Sequence, residues 1–472
     1  MNFSDTPGPE AIASLGSVRP SVFWLDRAAR PEAEPELIGS THADLLVVGG
    51  GFTGLWTALL AKQADPGRDV LLVEGARVAD GASGRNGGFV SASLTHGFAN
   101  GMGRWPDEMP TLLRLGDENL DAIEHTVDEF GIDCDFVRSG ELDVAVADYQ
   151  VAGIVEGVGE QRALGVDVAF LDRDQVRARV DSPTYLGALY DPRGSALVDP
   201  ARLAWGLRST AMELGVRFHE RTPVTGLASS GDGVVVTTRR GVVRADRVAL
   251  ATNAYPPLLR RLKNYVVPVY DYVLMTEPLT DDQWSSIGWS GREGVSDSGN
   301  QFHYYRSTAD GRILWGGYDA LYYSGNGFGP RFEHNRESYE RLAEHFLQTF
   351  PQLRGIRFSH AWGGAIDTCS RFTAFWGTAM RGRVGYVAGY TGLGVGASRF
   401  GALTMLDLLD GRDTERTRLK MVKSKPIPFP PEPIRSAAIS VTTRELARAD
   451  ANDGRRGPWL GLLDRLGLGF DS

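Results

Sequence analysis

Residues 44–54 read Asp-Leu-Leu-Val-Val-Gly-Gly-Gly-Phe-Thr-Gly, an apolar run that leads into the spacing Gly49-x-Gly51-x-x-Gly54. Glycine has no Cβ, so this turn allows a sharp reversal of the chain and a close approach of a pyrophosphate to backbone amides. It also lets the next helix pack tightly against its strand. The motif therefore predicts the start of a dinucleotide-binding unit.

The residues after this turn support the same interpretation. The stretch Leu55–Lys62 is compatible with a helix, and Asp69–Glu74 is a second apolar strand pattern. Glu74 stands twenty residues after Gly54, where an acidic residue binds ribose hydroxyls in such units. The order strand, helix, strand, acid predicts a nucleotide-binding βαβ unit rather than an isolated glycine-rich turn.

Composition limits the class of protein. The chain has 472 residues, 42% hydrophobic and 23% charged, with a formal net charge of −9. This length predicts two packed domains, and this charge argues against a general nucleic-acid binder. No apolar run approaches the ~20 residues that span a bilayer, so we expect no stable membrane insertion. Residues 1–10 lack the pattern of a signal peptide, so we expect a cytoplasmic location.

The metal-binding residue types are sparse. The two cysteines, Cys134 and Cys369, are too few for a disulfide framework, and we expect free thiols. The eight histidines form no His-x-x-x-His or Cys/His spacing, so we predict that the chain has no metal site.

Eight segments, taken in order, resemble the D-amino-acid oxidase family of FAD-dependent amine oxidoreductases, and the branch with γ-glutamylputrescine oxidase, glycine oxidase and sarcosine oxidase is the most similar. They are Gly49–Gly54, Glu74, Ser83–Gly88, Asp199–Leu203, Ala249–Asn253, Asp310–Gly317, Trp362–Gly364 and Gly389–Gly396. The resemblance implies an α/β fold, in which a Rossmann-like FAD-binding domain carries an inserted α+β substrate domain with an antiparallel sheet.

The resemblance also implies domain boundaries and cofactor contacts. We predict an N-terminal arm (1–42), a discontinuous FAD-binding domain (43–125, 190–264 and 360–420), a substrate domain (126–189 and 265–359) and a C-terminal tail (421–472). The residues implied to hold FAD are Gly49, Gly51, Phe52, Thr53, Gly54, Glu74, Gly75, Ser83, Gly84, Arg85, Asn86, Gly87, Val224, Thr252, Gly364, Gly392, Leu393 and Gly394. Some relatives attach flavin through a cysteine near Trp362-Gly363, whereas Cys369 lies several residues later. We therefore predict non-covalent FAD.

The implied reaction removes a hydride from the carbon that bears the amine of a small amine or amino acid and leaves an imine that water hydrolyses. We name Arg85, Tyr272, Trp315 and Arg306 as candidate catalytic residues. An aromatic cage for a cationic amine could be formed by Tyr270, Tyr272, Tyr304, Trp315, Tyr318 and Trp362, although each of these also suits an ordinary core. Arg306 could bind a substrate carboxylate or pair with Asp310 or Asp319. Trp315 stands where sarcosine oxidase relatives carry a lysine that promotes oxygen reaction, so the electron acceptor is oxygen or another, unidentified acceptor.

Two other functions stay open at this point. A hydroxy-acid or polyol dehydrogenase would use the same flavin geometry with a general base, for which His303 is the candidate. The chain could also be a flavin-binding subunit of a larger assembly. In the tail, Trp459–Phe470 has amphipathic spacing, which suits packing on the enzyme's own body better than a membrane surface.

Overall fold

The computed structural model describes residues 3–4 and 6–468. In chain order, its strands are β1 Gly39–Val48, β2 Val70–Val73, β3 Phe89–Ser91, β4 Glu141–Ala145, β5 Ala169–Asp172, β6 Gly187–Asp191, β7 Ser195–Leu197, β8 Arg217–His219, β9 Val224–Ser230, β10 Gly233–Thr238, β11 Gly241–Leu250, β12 Val267–Thr276, β13 Gly294–Asp297, β14 His303–Ser307, β15 Ile313–Gly317, β16 Leu321–Tyr322, β17 Phe358–Thr368, β18 Phe375–Ala379 and β19 Val384–Ala388.

The helices, again in chain order, are α1 Pro9–Ser14, α2 Phe52–Ala64, α3 Phe98–Arg104, α4 Met109–Glu129, α5 Asp148–Ala163, α6 Arg173–Arg179, α7 Pro200–Glu213, α8 Asp281–Ile287, α9 Arg336–Thr349, α10 Gly394–Asp410, α11 Glu415–Arg418, α12 Lys420–Lys423, α13 Ile434–Asp450 and α14 Pro458–Arg465.

The first sheet has the order β18-β19-β11-β1-β2-β8, and β9 and β10 extend it beside β11. From β19 to β8 the neighbouring strands run parallel. All four residues of β2 are buried, as expected for strands covered on both faces. Helix α2 packs against α7 and α10, and every residue from Phe52 to Ala61 is buried. This enclosure explains why the α2 sequence is apolar on all sides.

The second sheet has the order β16-β12-β15-β14-β13-β4-β6-β5, with β17 also paired to β12. Its pairing is antiparallel except between β13 and β4. Helix α9 covers one face beside β12 and β15. The aromatic side chains of that face form a core of their own. The other face is directed toward the nucleotide-binding turn.

Strand β17 crosses the predicted boundary between the substrate domain and the FAD-binding domain. Strand β17 starts at Phe358 and pairs along β12, although residues from 360 onward were assigned to the FAD-binding domain. The N-terminal arm is anchored by Val22, Phe23 and Trp24, which are all buried. In the tail, α13 and α14 pack on each other. Phe470 lies outside the described residues. None of the helices within 3–4 and 6–468 is long and apolar enough to cross a bilayer.

Candidate functional site

A cavity of about 1290 Å³ begins at the glycine turn after β1 and extends along the open face of the second sheet. Helices α13 and α14 line its other end. This volume exceeds the roughly 300–1,000 Å³ of ordinary small-molecule pockets. The cavity therefore has room for a dinucleotide and a second ligand.

The turn itself is shaped for a close ligand. Gly49 has φ +114°, and a Cβ there would lie 2.4 Å from the carbonyl oxygen of Ala251. A Cβ on Gly54 would lie 1.8 Å from the carbonyl oxygen of Gly49. The turn leads directly into α2, whose N-terminal residues Phe52 and Thr53 line the cavity. A helix N-terminus placed in this way binds a pyrophosphate.

Glu74 follows β2 and holds the glycine turn in place through hydrogen bonds to backbone N–H groups. Its Oε2 accepts a hydrogen bond of 2.6 Å from the N–H of Gly50, and its Oε1 accepts one of 2.7 Å from the N–H of Ala76. Burial raises the pKa of Glu74, an effect that these two N–H donors oppose. A carboxylate has about four acceptor sites, so Glu74 can hold the turn and still accept from ribose hydroxyls.

The loop that contains residues 83–88 is held by two tryptophans and one ion pair. Trp24 Nε1 donates a 2.9 Å hydrogen bond to the carbonyl of Asn86, and Trp362 Nε1 donates a 2.8 Å bond to that of Arg85. Arg85 Nη1 donates to Glu333 Oε2 at 2.8 Å and to the carbonyl of Gly363 at 3.1 Å. These contacts place the Arg85 backbone at the junction between the two sheets.

The start of α10 forms a further wall. Gly392, Leu393 and Gly394 line the cavity, and α10 begins at Gly394. Asp367 Oδ2 accepts hydrogen bonds from the N–H groups of Gly389 at 2.6 Å and Tyr390 at 3.2 Å. The segment before α10 is thereby held with the helix N-terminus facing the cavity. This N-terminus can stabilise the negative charge of a reduced flavin.

The structure brings most of the predicted cofactor residues to this cavity. Those that line it are Gly49, Gly51, Phe52, Thr53, Glu74, Gly75, Ser83, Arg85, Asn86, Gly87, Val224, Thr252, Gly364, Gly392, Leu393 and Gly394. Gly54 and Gly84 instead lie behind the wall, where a Cβ would overlap backbone oxygens of Gly49 and Ala79. Their contribution is close packing of the chain.

Three predicted catalytic side chains do not reach the cavity, and their assignment is corrected. Tyr272 and Trp315 are fully buried on the α9 face of the second sheet, where they belong to its aromatic core. Successive side chains of a strand point to opposite faces, so Asp271, the neighbour of Tyr272, lines the cavity instead. Arg306 is also fully buried and donates hydrogen bonds to the carbonyls of Val198 and Gly88.

The carboxylate nearest Arg306 is neither Asp310 nor Asp319, the two ion-pair partners that we expected for a structural arginine. Asp310 pairs with Arg312 and Asp319 with Arg341, while the carboxylate nearest Arg306 is that of Asp135 at 3.8 Å. Arg306 therefore ties the second sheet to the segment that follows β7.

The polar residues of the cavity wall include Glu141, Asp143, Asp271 and Tyr304, none of which was predicted to be catalytic. Tyr304 Oη donates a 2.5 Å hydrogen bond to Asp271 Oδ2. Burial raises the pKa of Asp271 and Asp143 to about 6 and that of Glu141 to about 7. The signal available in the sequence was the alternation of strand β12, where Asp271 stands between two tyrosines.

His303, the general base required by the dehydrogenase alternative, is fully buried and does not line the cavity. Its Nδ1 lies 2.6 Å from Asp297 Oδ2, and its Nε2 lies 2.9 Å from Nδ1 of His345. Both ring nitrogens are engaged within the second sheet's core. Groups of three or more metal-ligand side chains are absent from the part of the chain that the structure describes.

Comparison with known proteins gives consistent matches. A family model described as FAD dependent oxidoreductase (DAO) matches residues 44–408. The gamma-glutamylputrescine oxidoreductase of Escherichia coli (strain K12) is 34% identical over 391 residues, which cover 80% of this chain and 85% of that protein. A probable oxidoreductase, OrdL, of Haemophilus influenzae is 28% identical over 403 residues, covering 83% and 88%.

Solved structures show the same fold. Glycine oxidase from Geobacillus kaustophilus aligns with a TM-score of 0.66 at 21% identity and covers 79% of this chain and 96% of its own. L-proline dehydrogenase from P. horikoshii aligns with a TM-score of 0.66 at 19% identity and covers 81% and 96%. At these identities the likeness concerns the fold alone.

Proposed function

Since the chain belongs to the DAO family of FAD-dependent oxidoreductases, we propose that it oxidises the C–N bond of a small amine or amino acid. FAD, when bound, supplies the acceptor for the hydride that leaves the carbon, and the resulting imine hydrolyses. Family membership confirms the predictions of FAD as cofactor and of an FAD-dependent oxidoreductase. The Rossmann-like fold is likewise confirmed.

The residues that would hold the cofactor fit it. The pyrophosphate would lie at Gly49–Thr53, the ribose at Glu74 and the ring system between residues 83–87 and the start of α10. Both cysteines are buried away from the cavity wall, which supports non-covalent binding. Acid precipitation should release free yellow flavin into the supernatant, whereas flavin retained in the pellet would contradict this.

The observation that carries the proposal is the charge of the cavity wall formed by the second sheet, near the loop of residues 83–88, which we call the flavin loop. Asp271 on β12 and Glu141 and Asp143 on β4 belong to the same sheet, with three strands between β12 and β4, and all three line the cavity. A buried carboxylate is stabilised in its charged form by a nearby cation. An ammonium group that enters this cavity would lie near these carboxylates and stabilise their charged form. A cationic amine therefore suits this wall.

The arginines of the same cavity already have partners. Arg85 binds Glu333, Arg456 donates to Asp464, and Arg435 donates to the side-chain oxygens of Asn264 and Asn326. A substrate carboxylate would have to compete with these contacts. The wall therefore favours an amine over a simple amino acid as substrate.

The test is anaerobic reduction of the flavin followed by absorbance. We would add primary amines, diamines, N-methyl amino acids, D- and L-amino acids and γ-glutamyl polyamines, beginning with γ-glutamylputrescine because of the Escherichia coli relative's name. The matched control is tert-butylamine, which carries an ammonium group but no hydrogen on the adjoining carbon. We expect bleaching by an amine and none by tert-butylamine. If no amine or amino acid bleaches the FAD-loaded protein, the proposed function is wrong.

Admission of air after bleaching addresses the electron acceptor. We propose oxygen as the first acceptor to test, and rapid recovery of absorbance would identify an oxidase. Recovery only with a quinone or a redox dye would identify a dehydrogenase.

A further inference from the structure

Asp271 and Tyr304 form a hydrogen-bonded pair on the wall of the cavity. Tyr304 Oη lies 2.5 Å from Asp271 Oδ2, and Asp271 Oδ1 accepts a 2.7 Å bond from the N–H of Tyr272. Both side chains line the cavity and remain partly accessible from it. The carboxylate is thus oriented by the backbone and presented to the phenol.

The pair also lies close to the flavin loop. A Cβ on Gly87 would come within 2.7 Å of the Tyr304 ring, so the loop and the ring are in direct contact. Asp271 on β12 is in register with Gly364 on the neighbouring strand β17, and Gly364 lies against the side chain of Arg85. The pair therefore stands where the sheet meets the residues that would surround the flavin ring.

We propose that Tyr304 is a catalytic residue that accepts a proton from the substrate ammonium while it passes its own phenolic proton to Asp271, the positioning residue. This proposal rests on the proposed amine oxidation. An N–H bond of the ammonium breaks, an O–H bond forms on Tyr304, and the phenolic O–H proton moves to Asp271 Oδ2. The products are a neutral amine and a protonated Asp271, so charge and atoms balance and no electron is transferred.

The chemistry requires such a step because an ammonium has no lone pair to assist departure of a hydride from its carbon. A phenol oxygen both donates and accepts hydrogen bonds, so Tyr304 can bond Asp271 and the substrate at once. Burial raises the pKa of Asp271 to about 6, and burial lowers that of an ammonium. Both shifts bring the pKa of the ammonium, which gives up the proton, closer to the pKa of Asp271, which accepts one.

Other charged groups around the pair come from several elements. Asp319, after β15, raises the pKa of Asp271 and is itself paired with Arg341. Arg85 is paired with Glu333. Glu141 and Asp143 on β4 and His96 after β3 face the same cavity. Burial lowers the pKa of His96 to about 4, so His96 stays neutral where Asp271 titrates.

The experiment compares the rate of anaerobic flavin reduction against pH in four proteins. For the wild type we expect the rate to rise with pH about a midpoint near 6, since Asp271 must be ionised to accept the proton. Asp271→Asn should slow reduction at about pH 7 by roughly 100-fold and shift the midpoint toward the ordinary amine value near about 10. Tyr304→Phe should show the same shift because the relay is broken.

Tyr305→Phe is the matched control. Tyr305 is the next residue on the strand, and its buried hydroxyl lies 2.5 Å from that of Tyr185, away from the cavity. It should keep the wild-type midpoint. Asp143→Asn removes a different cavity carboxyl with a pKa of about 6 and should also keep the midpoint, whatever its effect on affinity. The proposal would be overturned by an unchanged midpoint in Asp271→Asn. It would also be overturned if the rise of the reduction rate with pH were lost in Asp143→Asn instead.

A second readout does not depend on turnover. Binding of tert-butylamine, followed by calorimetry, should strengthen as pH rises through about 6 in the wild type. This pH dependence should be smaller in Asp271→Asn than in the wild type, since only Glu141 and Asp143 then remain to titrate, and an unchanged dependence would contradict the role of Asp271. If that variant fails to fold, Tyr304→Phe carries the test. Failure of the proposed function would be visible in the wild type alone, as absence of reduction by any amine, whereas failure of the relay appears only between variants.

Discussion

The indole Nε1–H of Trp24 in the N-terminal arm donates a 2.9 Å hydrogen bond to the carbonyl oxygen of Asn86 in the flavin loop. The two residues are separated by 62 positions in sequence. The Trp24 ring also has the guanidinium groups of Arg27 and Arg306 over it, at 5.6 and 5.7 Å. The arm therefore fixes one side of the cofactor site.

Replacing Trp24 by phenylalanine should weaken FAD binding. The change keeps an aromatic ring but leaves the Asn86 carbonyl without its donor, at a cost of about 1 kcal/mol, or roughly fivefold in Kd. Fluorescence titration of apoprotein with FAD measures the change. Trp376→Phe is the control, because it removes a similar bond to the carbonyl of Gly401 in α10 and should leave Kd unchanged. Equal effects of the two variants would show that the arm has no specific role.

Alanine at Gly54 should abolish FAD binding. The new Cβ would meet the Gly49 carbonyl at 1.8 Å, and relief of this overlap must displace either the turn or α2, at a cost of about 3 kcal/mol. The FAD content per chain and the thermal midpoint are the measurements. Gly153→Ala, in α5 with open space around the new atom, should gain about 1 kcal/mol. Normal flavin content in Gly54→Ala would refute the role assigned to this turn.

The stability of the flavin-free protein should fall as the solution becomes more basic. Burial raises the pKa of Glu141 from 4.5 to about 7, so the folded state holds a proton that the unfolded state releases between these values. Stability contributed by that proton is lost as pH rises through about 7. Glu141→Gln should reduce this loss, measured as the thermal midpoint at about pH 5 and about pH 8.

Glu156→Gln, on an exposed part of α5, is the control and should follow the wild type. A bound cationic amine should restore stability at the higher pH, because an ammonium stabilises the charged carboxylate. A flat pH dependence in the wild type would mean that Glu141 is not held in a desolvated site.

Loosening α14 should expose the cavity. Leu460 is 1% exposed and lines the cavity, whereas Leu462 on the same helix is 47% exposed. Leu460→Ala removes a buried contact worth about 3 kcal/mol, and Leu462→Ala should have little effect. We expect iodide to quench flavin fluorescence more strongly in Leu460→Ala alone. Identical quenching in both variants would show that α14 does not control access.

Strand β12 shows what the alternation of a sequence predicts and what it does not. The run of residues 269–276 predicts a strand, and a strand separates Asp271 from its neighbours Tyr270 and Tyr272 into two faces. The alternation does not tell which face meets the cofactor, because α9 covers one side and the cavity the other, and both sides carry large side chains. We predicted Tyr272 at the site as a member of an aromatic cage, whereas in the structure Asp271 lines the cavity and Tyr272 does not.

The glycine turn, Glu74 and the loop of residues 83–88 could be located from the sequence, because a nucleotide imposes local requirements that only glycine and a suitably spaced acid satisfy. The family and the FAD cofactor could likewise be predicted from the sequence. The Asp271–Tyr304 pair, the carboxylates of β4 and the lining by α13 and α14 come from segments far apart in the chain. Only the packing of the two sheets and the tail brings them together, since a cavity's charge depends on which faces of distant elements meet and not on any one local pattern.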